Sequence, residues 1–204
     1  MTREFKIMDM LSRLMDLLVL NFFFLLTSLP IITIGASLTA LFSVNLKLVH
    51  DEESYINRNY FHAFRENFLQ ATAAFLVFLA AGVILCANLA ISSRMAGPFP
   101  IFLRALASVF LIILAVCFLY YFPILARFRF TQKQILMHIP HMIATQYPRF
   151  FFLLLLNIPV VFLCMYSVYT AFFVLILGCV LGFSAFTYAE CFLFRQIFQT
   201  YEIR

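Results

Sequence analysis

The sequence predicts an all-α, polytopic transmembrane helix bundle: five spans plus a short Pro/Gly-broken segment after the first, six membrane segments in all. Three observations predict it. First, the chain is 65% hydrophobic and 11% charged, whereas a soluble domain is usually about half apolar and about a quarter charged. That leaves too little polar surface to cover a water-soluble globule, and lipid is the solvent that fits. Second, the charges are clumped. Uncharged runs of 30, 27, 22 and 40 residues follow Asp16, Glu66, Arg104 and Arg149. A helix needs roughly 20 residues to cross the hydrocarbon, so the middle two runs hold one span each and the last holds two. The first is too long for one and short for two. Third, the runs are apolar on every face, as in residues 71–91. They lack the alternation of a transmembrane strand, and helices satisfy their own backbone as lipid demands.

The elements follow in order. Residues 1–16 place Phe5, Met8, Leu11 or Ser12, and Met15 near helical spacing with charges between. They read as an interfacial amphipathic helix leading into the first span. Residues 17–49 read as a broken first hairpin. Pro30 removes a backbone donor and ends or kinks the helix, and Gly35 weakens it further. After the break, Ser37, Thr39, Ser43 and Asn45 make a short, partly polar helix packed against protein. Asp51, Glu52 and Glu53 open a polar loop that ends at Asn59, a candidate N-cap. A helix over 59–92 carries Phe61, Phe64, Phe68 and Ala71 on one face and runs straight into its span.

Gly97-Pro98-Phe99-Pro100 is a turn, and residues 101–126 form the next span, with Pro123 near its end. Residues 131–147 read as a cytoplasmic amphipathic helix. Thr131-x-x-Gln134 is its capping box, Ile135, Leu136, Ile139, Met142 and Ile143 its apolar face, and Pro140 its kink. Pro148 starts a span over 148–166. Tyr166 and Tyr169 mark an interfacial turn, and 170–194 is the last span. With no Trp, tyrosines must supply the aromatic belt. Tyr120, Tyr121, Tyr147, Tyr166, Tyr169 and Tyr188 fall near the span ends.

Lys and Arg counts orient the chain. A single kinked crossing at residues 30–35 puts nine basic residues inside and five outside. A hairpin there puts twelve inside and leaves only Arg94 and Arg104 outside. The hairpin is the cleaner reading, with both termini cytoplasmic and the protein in a bacterial cytoplasmic membrane. Residues 1–16 mix acids with bases and precede no small-residue cleavage site, so no cleavable signal peptide is expected.

The net charge of +5 reads as cytoplasmic loop bias. No pattern for nucleic-acid binding accompanies it. Cys86, Cys117, Cys164, Cys179 and Cys191 all sit in apolar runs without a C-x-x-C pair, as small hydrophobes would. Glu190 is the one acid inside an apolar run. Intramembrane carboxylates are functional candidates, but its place late in the last span favours an interfacial carboxylate paired with Arg195. His138 and His141 are three apart, which is half a metal site at most, and ordinary interfacial histidines are the preferred reading. Asn21, Asn88 and Asn157 read as interhelical hydrogen-bonding residues, or less simply as the lining of a polar solute path. No nucleophile elbow, phosphate loop, metalloprotease or dinucleotide motif is present. Neither an enzyme nor a cofactor is expected. Asn21-Phe22-Phe23-Phe24-Leu25-Leu26 with Pro30 is echoed by Arg149-Phe150-Phe151-Phe152-Leu153-Leu154 with Pro159. Duplication would suggest repeat-built architecture, and chance recurrence of Phe and Leu is the simpler account.

The stretch Asn21-Phe22, Leu29-Pro30-Ile31-Ile32-Thr33-Ile34-Gly35-Ala36 and Thr39-Ala40-Leu41 resembles the signature of the YesL-like family of bacterial membrane proteins. Tyr55-Ile56 and Phe61-x-x-Phe64-Arg65-Glu66-Asn67-Phe68-x-Gln70-Ala71 is similar to that family's second stretch. Phe22 stands where the family often has Trp, and Ala36 where Pro often follows its Gly. The resemblance implies a helical membrane protein encoded beside carbohydrate ABC transporters and polysaccharide-degrading enzymes. Its expected role is therefore accessory or regulatory in sugar uptake, with ABC permease subunits as partners. The alternative is a small solute transporter or channel. The expected cytoplasmic contact surfaces are Phe64, Arg65 and Asn67 on the Phe-rich helix, and Arg127, Arg129 and Lys133 in the basic connection. Such surfaces also suit anionic lipid.

Overall fold

The computed structural model describes residues 2–50, 55–95, 97–128 and 130–202, with side chains for all of these but residues 2–10, 165, 181 and 199–202. Every regular element among them is helical: α1 Thr2–Ser28, a 3-10 turn Ile31–Thr33, α2 Ile34–Val49, α3 Ile56–Ser93, α4 Pro98–Arg127, α5 Gln132–Thr145, α6 Tyr147–Tyr166, α7 Val168–Leu177, a π turn Gly178–Gly182, and α8 Phe183–Glu202.

The first break is a reversal of the chain. Pro30 stops the α1 ladder, and Thr33 caps what it leaves open. The Thr33 hydroxyl donates to the carbonyls of Thr27 at 2.6 Å and Pro30 at 2.8 Å, and its N–H donates to Pro30 O at 3.0 Å. Asn21 and Asn45 then both hydrogen-bond the backbone of one residue, Ser184. Along a straight helix they would stand roughly 36 Å apart, so α1 and α2 lie side by side. The polar start of α1 is continuous with its apolar part, so Thr2–Ser28 form one helix. Phe5, Met8 and the acidic trio Asp51, Glu52 and Glu53 lie outside the described side chains.

The short second segment proves to be the centre of the molecule. Ile31–Val49 has 19 residues, about 28 Å at 1.5 Å per residue, enough to cross. It is 56% buried, against 6–17% for the other unbent segments. The others face outward, and α2 is wrapped by them. Gly35 makes this possible: a Cβ there would meet Ala71 O at 2.5 Å and Phe75 Cβ at 2.6 Å. The backbones of α2 and α3 therefore touch, as small residues allow between membrane helices.

Helix α3 starts at Ile56, not at Asn59. The Asn59 side chain is engaged elsewhere, accepting from Lys47 Nζ at 3.3 Å. Its 38 residues extend about 57 Å, so its first turns project beyond about 30 Å of hydrocarbon. Below them an aromatic core joins α3, α4, α6 and α8. Phe78 stacks edge-on against Phe118 and Tyr121, and Tyr120 contacts Phe150 and Phe194. Tyr120 and Tyr121 are thus buried in protein, whereas Tyr147, Tyr166 and Tyr169 are exposed as belt residues would be.

The predicted capping box opens α5, with Gln134 Oε1 accepting from the Thr131 N–H at 3.0 Å. Ile135, Ile139 and Met142 are buried. Leu136 is 49% exposed, because the stripe repeating from Ile135 turns it one step round the helix. The helix continues through Pro140. The last span departs most from expectation: Val168–Val180 and Phe183–Phe198 meet at 82°. The two Phe-rich segments also differ in local structure, since Pro30 ends α1 while Pro159 lies inside α6.

Candidate functional site at the broken last span

The site is a buried polar seam built around Gly178–Gly182. A π turn carries one residue too many for the α ladder. Here the Phe183 N–H reaches back to Gly178 O. Gly182 fits because a Cβ would sit 2.8 Å from Leu177 O. The gap is filled from α1. Asn21 Nδ2 donates to Cys179 O at 2.8 Å and Gly178 O at 3.3 Å, while Asn21 Oδ1 accepts from the Ser184 N–H at 3.2 Å. The carboxamide replaces a peptide group in the ladder of another helix, a recognised cause of a sharp kink. From α2, Asn45 Nδ2 donates to Ser184 O at 3.3 Å. Ser184 is fully buried, and its Oγ and Asn45 Oδ1 have no partner among the described residues. They are polar oxygens in a place where an unmet hydrogen bond is costly.

The seam continues along α8. Glu190 is 3% exposed, and Oε1 accepts from Asn157 Nδ2 of α6 at 2.7 Å. The expected pairing with Arg195 is not made: Arg195 Nη1 donates to Val49 O, an open carbonyl at the end of α2, at 2.8 Å. The two stand five positions apart in α8, beyond the three or four that bring side chains together, and so meet different neighbours. Cys191 Sγ donates to Phe42 O at 3.9 Å, and Arg13 Nη1 donates to Tyr188 Oη at 3.0 Å.

Of the candidates named from sequence, Asn21, Asn157 and Glu190 belong to this seam. Pro30 and Gly35 shape the α1–α2 turn and the α2–α3 contact. Asn88 is half-buried on α3, with Oδ1 unpartnered among the described residues. The supposed contact residues scatter. Phe64 packs inward against Phe68 and Tyr60, and Asn67 bonds back to Ala63 O at 3.1 Å. Arg127 is half-buried, and Arg129 lies outside the described residues. Arg65 and Lys133 are exposed. Arg65 lies on an open, shallow face of α3 with Asn57, Arg58, Phe61, His62 and Glu66. His138 stacks on Phe130 at 5.0 Å, and the described residues contain no His/Cys/Asp/Glu cluster fit for a metal. Cys86, Cys164 and Cys179 are exposed on the apolar outside, and only Cys191 is buried in protein.

Sequence reasoning missed Gly178, Gly182 and Ser184, and named Asn45 only among the polar residues that pack the second segment against protein. The available signal was Gly178-x-x-x-Gly182 in the middle of a run taken as one straight span.

The fold and seam define a multi-pass helical membrane protein with a broken last span. Residues 17–89 match a family model described as a protein of unknown function, DUF624. That match covers α1 from Leu17, the reversal, α2 and most of α3, and stops short of Asn157, Glu190 and the glycine pair. No curated protein and no solved structure matches the chain.

Proposed function

We propose that this is a non-enzymatic, YesL-like protein of the bacterial cytoplasmic membrane, acting as an accessory or regulatory component of carbohydrate uptake of the ABC type. One observation carries the choice. Of the polar side chains that a conduit would need, Asn21 is engaged with the broken helix and Asn157 with Glu190, while Asn88 Oδ1 is left open among the described residues. Apart from Arg94 at the opposite end, exposed basic charge gathers at the end that carries Arg58, Arg65 and Lys133. That end is cytoplasmic in the hairpin orientation, the side where an ATPase or permease loop is met. The resemblance of the first two segments to the YesL-like signature supports the sugar-uptake setting.

The test is purification from native membranes in mild detergent with quantitative mass spectrometry. Permease or ATPase subunits are expected to co-purify, and Arg58→Glu with Arg65→Glu is expected to reduce their recovery. Recovery of the chain alone would sink the reading. The 82° break favours a second reading, a small solute carrier, because discontinuous helices are a feature of carriers. Sugar flux into vesicles reconstituted with this protein alone would move the assignment there.

A further inference from the structure

The hairpin of α6 and α7 is anchored to the bundle at its base and faces outward at its tip. At the base Leu153 is fully buried, the Phe150 ring lies 6.1 Å from Tyr120, and Arg149 donates to Gln196 O at 2.9 Å. From residue 158 to residue 177 no described side chain is buried. Between base and tip each leg has a weak point. In α6 it is Pro159, which offers no N–H to the carbonyl four residues back. In the other leg it is Gly178–Gly182. Beside each weak point sits one polar contact to the body: Asn157 to Glu190 at 2.7 Å, and Asn21 to Cys179 and Ser184 at 2.8 and 3.2 Å.

We propose that residues 160–177 swing as a unit about Pro159 and Gly178–Gly182, and that the Asn157–Glu190 pair and the Asn21 carboxamide, one beside each pivot, are the two catches that keep those pivots from bending. A hydrogen bond in apolar surroundings is directional, and stranding its partners is costly. Such catches make an element two-state rather than continuously pliable. The proposal stands whichever functional reading holds, since it concerns motion and not cargo.

The test places spin labels at Tyr169→Cys and Ile31→Cys, sites 87% and 66% exposed. The background has its five cysteines replaced, and distances are measured by pulsed EPR in lipid nanodiscs. The latched protein is expected to give one dominant distance. Asn21→Ala with Asn157→Leu is expected to raise a second population about three- to tenfold, and adding Pro159→Ala to reduce it. A control pair, Ile31→Cys with Leu69→Cys, is expected to stay unchanged. A distribution identical to the latched one, or equal broadening of the control pair, overturns the proposal. If the double variant aggregates, hydrogen exchange of Asn21→Ser decides. Faster exchange confined to residues 178–187 supports the hinge, and unchanged exchange there overturns it.

Discussion

At Asn21 one carboxamide does the work of a peptide group in a helix it does not belong to. Replacing it with the similar-sized Leu leaves the Ser184 N–H and the Cys179 carbonyl without their partner. Asn21→Leu is therefore expected to cost about 1–3 kcal/mol, read as a lower thermal-unfolding midpoint in detergent. Phe22→Leu, on the 62% exposed neighbour, is expected to stay within about 0.5 kcal/mol. Gly35→Ala drives a methyl into Ala71 O, a backbone atom that cannot turn aside, and is expected to cost about 1–3 kcal/mol. The same assay checks it. Asn21 was legible in the sequence because an amide in an apolar run must find a partner. Its partner was not, because backbone groups 157 or more residues away leave no mark in the side-chain sequence. The partner of Asn45, a backbone carbonyl 139 residues away, was hidden for the same reason. Glu190 was visible as a charge, but linear proximity to Arg195 suggested the wrong neighbour.

Among elements, the breaks separate what composition encodes from what packing imposes. Pro30 lacks an N–H, so the sequence alone stops α1 there. Glycines are tolerated in membrane helices, and the pair in the last span becomes a sharp bend only where Asn21 enters it. The start of α5 belongs to the first kind, since its capping box could be read from four residues. Thr131→Ala is expected to cost about 1 kcal/mol, appearing as faster hydrogen exchange in the first turn of α5 with α2 unchanged. The tyrosines show the limit of reading by position. Tyr120 and Tyr121 lie near a span end, yet face the protein, because α4 turns that face toward Phe194 and Phe78.

For the whole molecule, the clumping of charge was enough to predict a helical membrane bundle, because lipid penalises each ionised group in a span. It was not enough to rank the segments. The segment that looked incomplete, α2, is the best enclosed, since its small and polar residues suit protein contact better than lipid. The twelve-to-two split of basic residues in the hairpin reading makes a testable prediction of sidedness. In right-side-out vesicles, Arg94→Cys is expected to react with an impermeant maleimide at once, and Lys133→Cys only after permeabilisation. The reverse pattern would invert the topology.

The seam also imposes an order on biogenesis. Asn21 and Asn45 leave the ribosome 163 and 139 residues ahead of the Ser184 that they bind. Until α8 is inserted, the first two membrane segments carry amides whose final partners have yet to be synthesised, in a solvent that cannot replace them. The nascent amino-terminal half must therefore be sheltered by the insertion machinery or by lipid headgroups while it waits. A chain stopped before residue 178 is expected to be inserted yet rapidly degraded, as pulse-chase labelling would reveal. Co-expressing residues 170–204 as a separate segment is expected to lengthen its lifetime.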